Sequence, residues 1–87
     1  MRGYAVTVTD AATLLIDADN INRTVYLHVV GNQAVALGNS SVTYATGLLT
    51  EKHTTPVSLF LPLGERVYAI ANTGTTESVR VLLPDQD

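Results

Sequence analysis

The sequence predicts an all-β protein, a small two-sheet antiparallel β-sandwich with about eight short strands. Thr, Val and Ile, the residue types that favour strands, make up 26 of the 87 residues. Apolar and polar residues alternate along most of the chain, and no helical spacing of apolar residues persists over ten residues. Turn-forming residues recur at intervals of roughly 8–12 residues, which is typical of sandwiches.

The first half of the chain contains five predicted strands, separated by Asp, Asn and Gly. They comprise residues 4–9, 14–16, 23–30, 33–37 and 41–44. Gly31 and Asn32 are a turn signal, so we expect the third and fourth strands to form a hairpin. The third strand is apolar on both faces, with Val25, Leu27 and Val29 in one row and Tyr26, His28 and Val30 in the other.

The second half contains four more predicted strands. They comprise residues 48–53, 57–61, 66–70 and 77–83. The segment Pro62–Glu65 predicts a tight turn, so we expect residues 57–61 and 66–70 to form a hairpin. Residues 1–87 are expected to form a single domain, with 1–4 as an N-terminal arm and 84–87 as an acidic tail.

Composition excludes several functional classes. The net charge is −3 and the four arginines are scattered, which argues against nucleic-acid binding. The chain has no Cys, so it has neither a disulfide framework nor a thiolate metal site. The uncharged stretch from Thr24 to Thr50 is broken repeatedly by Gly and Asn, so it does not predict a membrane-spanning helix. A domain this small cannot also enclose a large dry cleft, so we expect no enzymatic activity.

No motif predicts a catalytic, cofactor or metal site. The Asp17–Asn22 loop lacks the ligand spacing of an EF-hand, so we interpret its Asp and Asn residues as forming Asx turns. His28 and His53 are too few and too far apart for a three-ligand zinc site. Ser40 and Ser41 lack the glycine pattern of a nucleophile elbow. We therefore predict no cofactor and no catalytic residue.

A low surface charge points to an assembly component. Charged residues make up 15% of the chain, against about a quarter in a typical domain. The segments 25–30 and 57–62 are uncharged and have high β-propensity. Such segments promote aggregation unless a neighbouring strand or subunit covers them. An alternative is a carbohydrate- or ligand-binding module that uses the tyrosines and the Asp17–Asn22 loop.

The order of strand and turn segments resembles small virion proteins of tailed bacteriophages, of the capsid decoration or cement type, and related minor head proteins. The segments that carry the resemblance are Ala12–Leu15, Asn22–Leu27, Val35–Gly38, Val42–Thr43, Gly47–Leu49, Val67–Ile70 and Val79–Leu82. It implies a jelly-roll-like sandwich, commonly a homotrimer, made in the host cytoplasm. In the virion it would bind the major capsid protein on the capsid exterior, without a cofactor. A tail or head-tail structural subunit is an alternative within the same particle.

We predict two sets of interface residues for this role. Arg2, Gly3 and Tyr4 form an N-terminal arm able to add a strand to a neighbouring sheet. The second set, Tyr26, His28 and Val30, is one row of the third strand and contacts a partner if that row faces outward.

Overall fold

A computed structural model describes residues 1–52 and 56–84, and in these ranges the chain forms eight strands and no helix. The strands are β1 (Arg2–Val8), β2 (Thr13–Ile16), β3 (Arg23–Val29), β4 (Val35–Gly38), β5 (Leu48–Thr50), β6 (Val57–Leu61), β7 (Val67–Ala71) and β8 (Glu77–Leu83). They build two four-stranded sheets, with the orders β1-β8-β3-β6 and β2-β7-β4-β5. The predicted all-β sandwich is therefore confirmed. The described residues include no helix long and apolar enough to cross a membrane.

Every strand pair is antiparallel, and the pairing is nested. β1 pairs with β8, β2 with β7, β3 with β6 and β4 with β5. Two further pairings, β3 with β8 and β4 with β7, join these pairs into the two sheets. This is the strand order of an eight-stranded jelly roll. Every connection between successive strands crosses from one sheet to the other except that between β4 and β5, which pair within the second sheet.

The core lies between the sheets and is built mainly from one row of each strand. In β3 and β8, the inward rows are Val25, Leu27, Val29, Val79, Val81 and Leu83, all fully buried. Leu27 stands directly opposite Val81, so the two rows form one continuous apolar surface at the centre of the first sheet. Since side chains alternate across a strand, the intervening residues of β3 and β8 must face away from the core.

Two predicted hairpins are wrong. β3 is bonded to β6 on one side and to β8 on the other, so β4 cannot pair with it and crosses to the second sheet. The turn after Pro62 likewise leads from β6 in the first sheet to β7 in the second. Both segments alternate as strands should, but alternation does not specify which strand is the partner.

The predicted strand at residues 41–44 is also wrong. The N–H of Val42 donates to the Asn39 carbonyl at 3.0 Å, and the N–H of Gly47 donates to the Thr43 carbonyl at 3.0 Å. The side-chain hydroxyls of Thr43 and Thr46 are 2.6 Å apart and hydrogen-bonded. Local turn bonds therefore satisfy backbone groups that a strand would have presented to a neighbour.

A buried carboxylate holds the crossing from β3 to β4. Glu77, at the start of β8, is 8% exposed. Its Oε1 accepts hydrogen bonds from the N–H groups of Gly31 and Ser78, and its Oε2 accepts one from Gln33, each at 2.9 Å. Three backbone donors around one carboxylate compensate for its removal from water. Glu77 thus fixes the path by which the chain leaves the first sheet.

Replacing Gly31 by Ala tests this anchor. A Cβ at Gly31 would overlap Oε1 of Glu77, so the carboxylate must move away from its donors. We expect G31A to lower the free energy of unfolding by about 1–3 kcal/mol, measured by urea denaturation.

The matched control is Gly3→Ala, because a Cβ at Gly3 would meet its nearest neighbour at an ordinary 3.7 Å. Equal urea midpoints for the two variants would contradict the role assigned to Glu77.

Candidate functional site

The solvent-facing side of the β1-β8-β3-β6 sheet, here called the outer face, is the candidate functional surface. Its described residues are Gly3, Ala5, Thr7, Thr24, Tyr26, His28, Ser58, Phe60, Ser78, Arg80 and Leu82. Arg80 is the one residue among them with a permanent charge. The outer face therefore offers a neighbouring protein a rigid, weakly charged surface.

An apolar row crosses the middle of the outer face. Leu82 stands opposite Gly3 on one side and opposite Tyr26 on the other, and Tyr26 stands opposite Ser58. Tyr26 is 39% exposed and Leu82 40% exposed. Large apolar side chains presented side by side on a sheet are typical of a surface that a partner covers.

A shallow groove of about 300 Å³ lies along this row. Its lining side chains include Tyr26, His28, Pro56, Arg80 and Leu82. His28 and Arg80 stand directly opposite each other on β3 and β8, so the groove is apolar with the Arg80 guanidinium at its margin. This arrangement suits an apolar or aromatic side chain followed by an acidic group.

The structure divides the six predicted interface residues between two places. Gly3, Tyr26 and His28 share the outer face, and Val30 follows β3 with 36% exposure. The other two residues, Arg2 and Tyr4, belong to the opposite row of β1. Residues 2–4, predicted as a free arm, instead begin β1 and pair with Val81, Leu82 and Leu83 of β8.

Tyr4 connects the two sheets. Its hydroxyl donates a hydrogen bond to the carbonyl of Leu15 in β2 at 2.6 Å. The guanidinium of Arg2 lies over the Tyr4 ring, 5.6 Å from its centroid. Burial raises the pKa of the Tyr4 hydroxyl above its ordinary value of 10.0, although the positive charges of Arg2 and Arg23 act to lower it. Tyr4 is therefore a structural contact between the sheets.

Replacing Tyr4 by Phe tests this contact through its pH dependence. Because the folded-state pKa of Tyr4 is raised above 10.0, its contribution to stability is complete below that pH and is lost as the pH rises through the folded-state pKa. We expect the wild type to unfold at higher urea than Y4F at about pH 8, and this advantage to shrink at about pH 11. An advantage that does not change with pH would contradict the assignment.

The Asp17–Asn22 loop uses its oxygens within the protein. Oδ1 of Asp17 accepts from the N–H of Ala18 at 2.7 Å and from Nε of Arg66 at 2.8 Å. Oδ1 of Asn22 accepts from the N–H of Leu63 at 2.9 Å. The hydrogen bond from Arg66, followed by that from Ala18, lowers the pKa of Asp17. These bonds shape the loop and tie it to the turn after β6.

Metal-ligand geometry is not present in the described ranges, where no three His, Asp or Glu side chains converge. His53, the second histidine considered from the sequence, and Asp85–Asp87 of the acidic tail lie outside those ranges.

Arg23 is a buried cation that the sequence did not single out. It begins β3 in the inward row and is 2% exposed. Its Nη2 donates to the Asp17 carbonyl at 3.0 Å, whereas Nε and Nη1 are buried and have no hydrogen-bond partner among residues 1–52 and 56–84. A buried guanidinium with one bond is costly to the fold, so Arg23 marks the least satisfied position of the core.

The sequence also missed Arg80, Leu82 and Phe60 as parts of the outer face. The alternation of β8 and β6 shows that these residues share a side of their strands. Only the pairing of β8 and β6 with β3 places them beside Tyr26 and His28.

Comparison of the chain with family models, with curated proteins and with solved structures finds no significant match.

Proposed function

We propose that this chain is a non-enzymatic structural subunit that attaches to the exterior of a tailed-phage capsid and stabilises it. The observation that carries the proposal is the exposed apolar row through Tyr26 and Leu82 on the outer face. The resemblance of the strand and turn segments to decoration proteins supplies the identity of the partner, a major capsid protein. A tail or head-tail subunit would use the same surface.

The dimensions of the protein are compatible with this role. A standard interface buries about 800 Å² on each partner, and the chain has 5098 Å² of accessible surface. One contact would therefore cover about a sixth of the accessible surface of the molecule. Because the outer face is built on paired strands, little conformational entropy is lost when a partner covers it.

The groove favours a second candidate, a ligand-binding module. Its volume of about 300 Å³ is at the lower limit for small-molecule sites, and Tyr26 and Arg80 lie along it. A glycan array distinguishes the two candidates, because binding of a sugar that Y26S abolishes would favour the module.

Removing the apolar row should weaken capsid attachment. We expect Tyr26→Ser and Leu82→Ser to reduce affinity for tailed-phage capsids assembled without this chain by more than tenfold, since loss of a central apolar anchor costs about 2 kcal/mol or more. Affinity is measured from copies bound per particle in electron micrographs across a titration.

The matched control is Leu14→Ser. Leu14 is 39% exposed, as Tyr26 is, but lies on β2 in the other sheet. Far-ultraviolet circular dichroism and urea midpoints establish that all three variants are folded. Unchanged occupancy for Y26S and L82S, or equal loss for L14S, would contradict the proposal.

A further inference from the structure

β6 forms one edge of the first sheet, and its outer edge is open. The strand order ends at β6, and in residues 1–52 and 56–84 no strand pairs with its far side. Phe60, at the fourth position of β6, is 61% exposed. An open edge offers unpaired N–H and C=O groups to any strand of suitable length.

The open edge lacks the charges that usually protect such strands. Residues 57–61 contain no charged side chain, and Pro56 and Pro62 flank them. By contrast, β1 at the opposite edge begins with Arg2. Lys and other charges within edge strands discourage pairing with another molecule. Proline has no N–H, so the two prolines limit pairing to a five-residue segment centred on Leu59.

We propose that β6 pairs antiparallel with β6 of a second copy of the chain, about a two-fold axis at Leu59. In this register Leu59 stands opposite Leu59 of the second copy, Ser58 opposite Phe60, and Val57 opposite Leu61. The two first sheets become one continuous eight-stranded sheet. Self-pairing brings no like charges together, because the paired segment has none.

Side-chain size on the outer face agrees with this register. Within one copy Ser58 stands opposite Tyr26, so the small side chain leaves space beside the Tyr26 ring. The two-fold axis places Phe60 of the second copy on the other side of Ser58. The Phe60 ring, exposed in one copy, then lies over Ser58 and against Tyr26, where aromatic pairs gain additional stability.

The second copy would also cover the core-facing side chains of β6. Val57 and Leu59 face the core but are only half-buried, because they lie at the margin of the sandwich. In the dimer each meets an apolar residue of the second copy. Burial of apolar surface on both sides of the new strand pair provides the driving force for association.

A two-fold contact of this kind limits the assembly to two copies, because it occupies the same segment of both chains. It therefore differs from the homotrimer expected from the resemblance. The proposed dimer does not depend on the capsid role. It would present two outer faces to a partner, which raises the avidity of binding.

Cysteine substitution tests the register, since the chain has no Cys of its own. Directly opposite residues of antiparallel strands have Cα atoms about 4.5–5.5 Å apart, within the disulfide range. We expect Leu59→Cys to form a disulfide-linked dimer under mild oxidation. Ser58→Cys, one residue away on the same strand and more exposed, should remain largely monomeric on a non-reducing gel.

The unmodified chain provides the second measurement. We expect light scattering across a concentration series to show a mass rising from 9.3 kDa to twice that value. Equal cross-linking of S58C and L59C, or a wild-type mass of 9.3 kDa at every concentration, would overturn the proposal. Neither result would bear on capsid attachment, which is measured separately through L82S, because Tyr26 also lies beside Phe60 of the second copy in the proposed dimer.

Discussion

The pairing of β3 with β8 at the centre of the first sheet determines most of the remaining structure. Leu27 opposite Val81 and Val29 opposite Val79 direct two apolar rows into the core. A slip of one residue would exchange every inward side chain for an outward one, which the buried rows forbid. The same register places Tyr26 beside Leu82 and leaves them uncovered. The exposed apolar row of the outer face is thus a direct consequence of how the core is packed.

Polar anchors fix the sandwich around this centre. Glu77 binds three backbone donors where the chain leaves the first sheet, and Tyr4 connects β1 to β2 through the Leu15 carbonyl. A further bond, from the N–H of Ala71 to the Thr9 carbonyl at 2.8 Å, joins the end of β1 to β7. A surface held in this way changes little on binding, as a permanently assembled subunit requires.

The sequence predicted strands well and strand partners poorly. Alternation identified β3, β7 and β8 because each has a buried row made mainly of Val, Leu or Ala, and β6 because its apolar Val57, Leu59 and Leu61 are less exposed than the residues between them. It could not distinguish a hairpin from a crossing between sheets, because both need the same alternation and similar turn residues. The decisive group, Glu77, is 46 residues from its Gly31 partner and has no local signal.

The predicted interface was correspondingly partial. Tyr26 and His28 could be placed on one side of β3 from alternation alone. Their neighbours Arg80 and Leu82 required the register with β8. Tyr4 has the same alternating context as Tyr26, yet its hydroxyl is bonded to Leu15 within the protein. Exposure of an aromatic residue depends on the second sheet, which a strand pattern does not describe.

Electron cryomicroscopy of a tailed-phage particle that carries this chain would test the central claim, that the outer face binds the shell. The account predicts Tyr26 and Leu82 buried against the major capsid protein, with the β2-β7-β4-β5 sheet facing solvent. A subunit whose outer face points to solvent, with the loops or the second sheet against the shell, would contradict it.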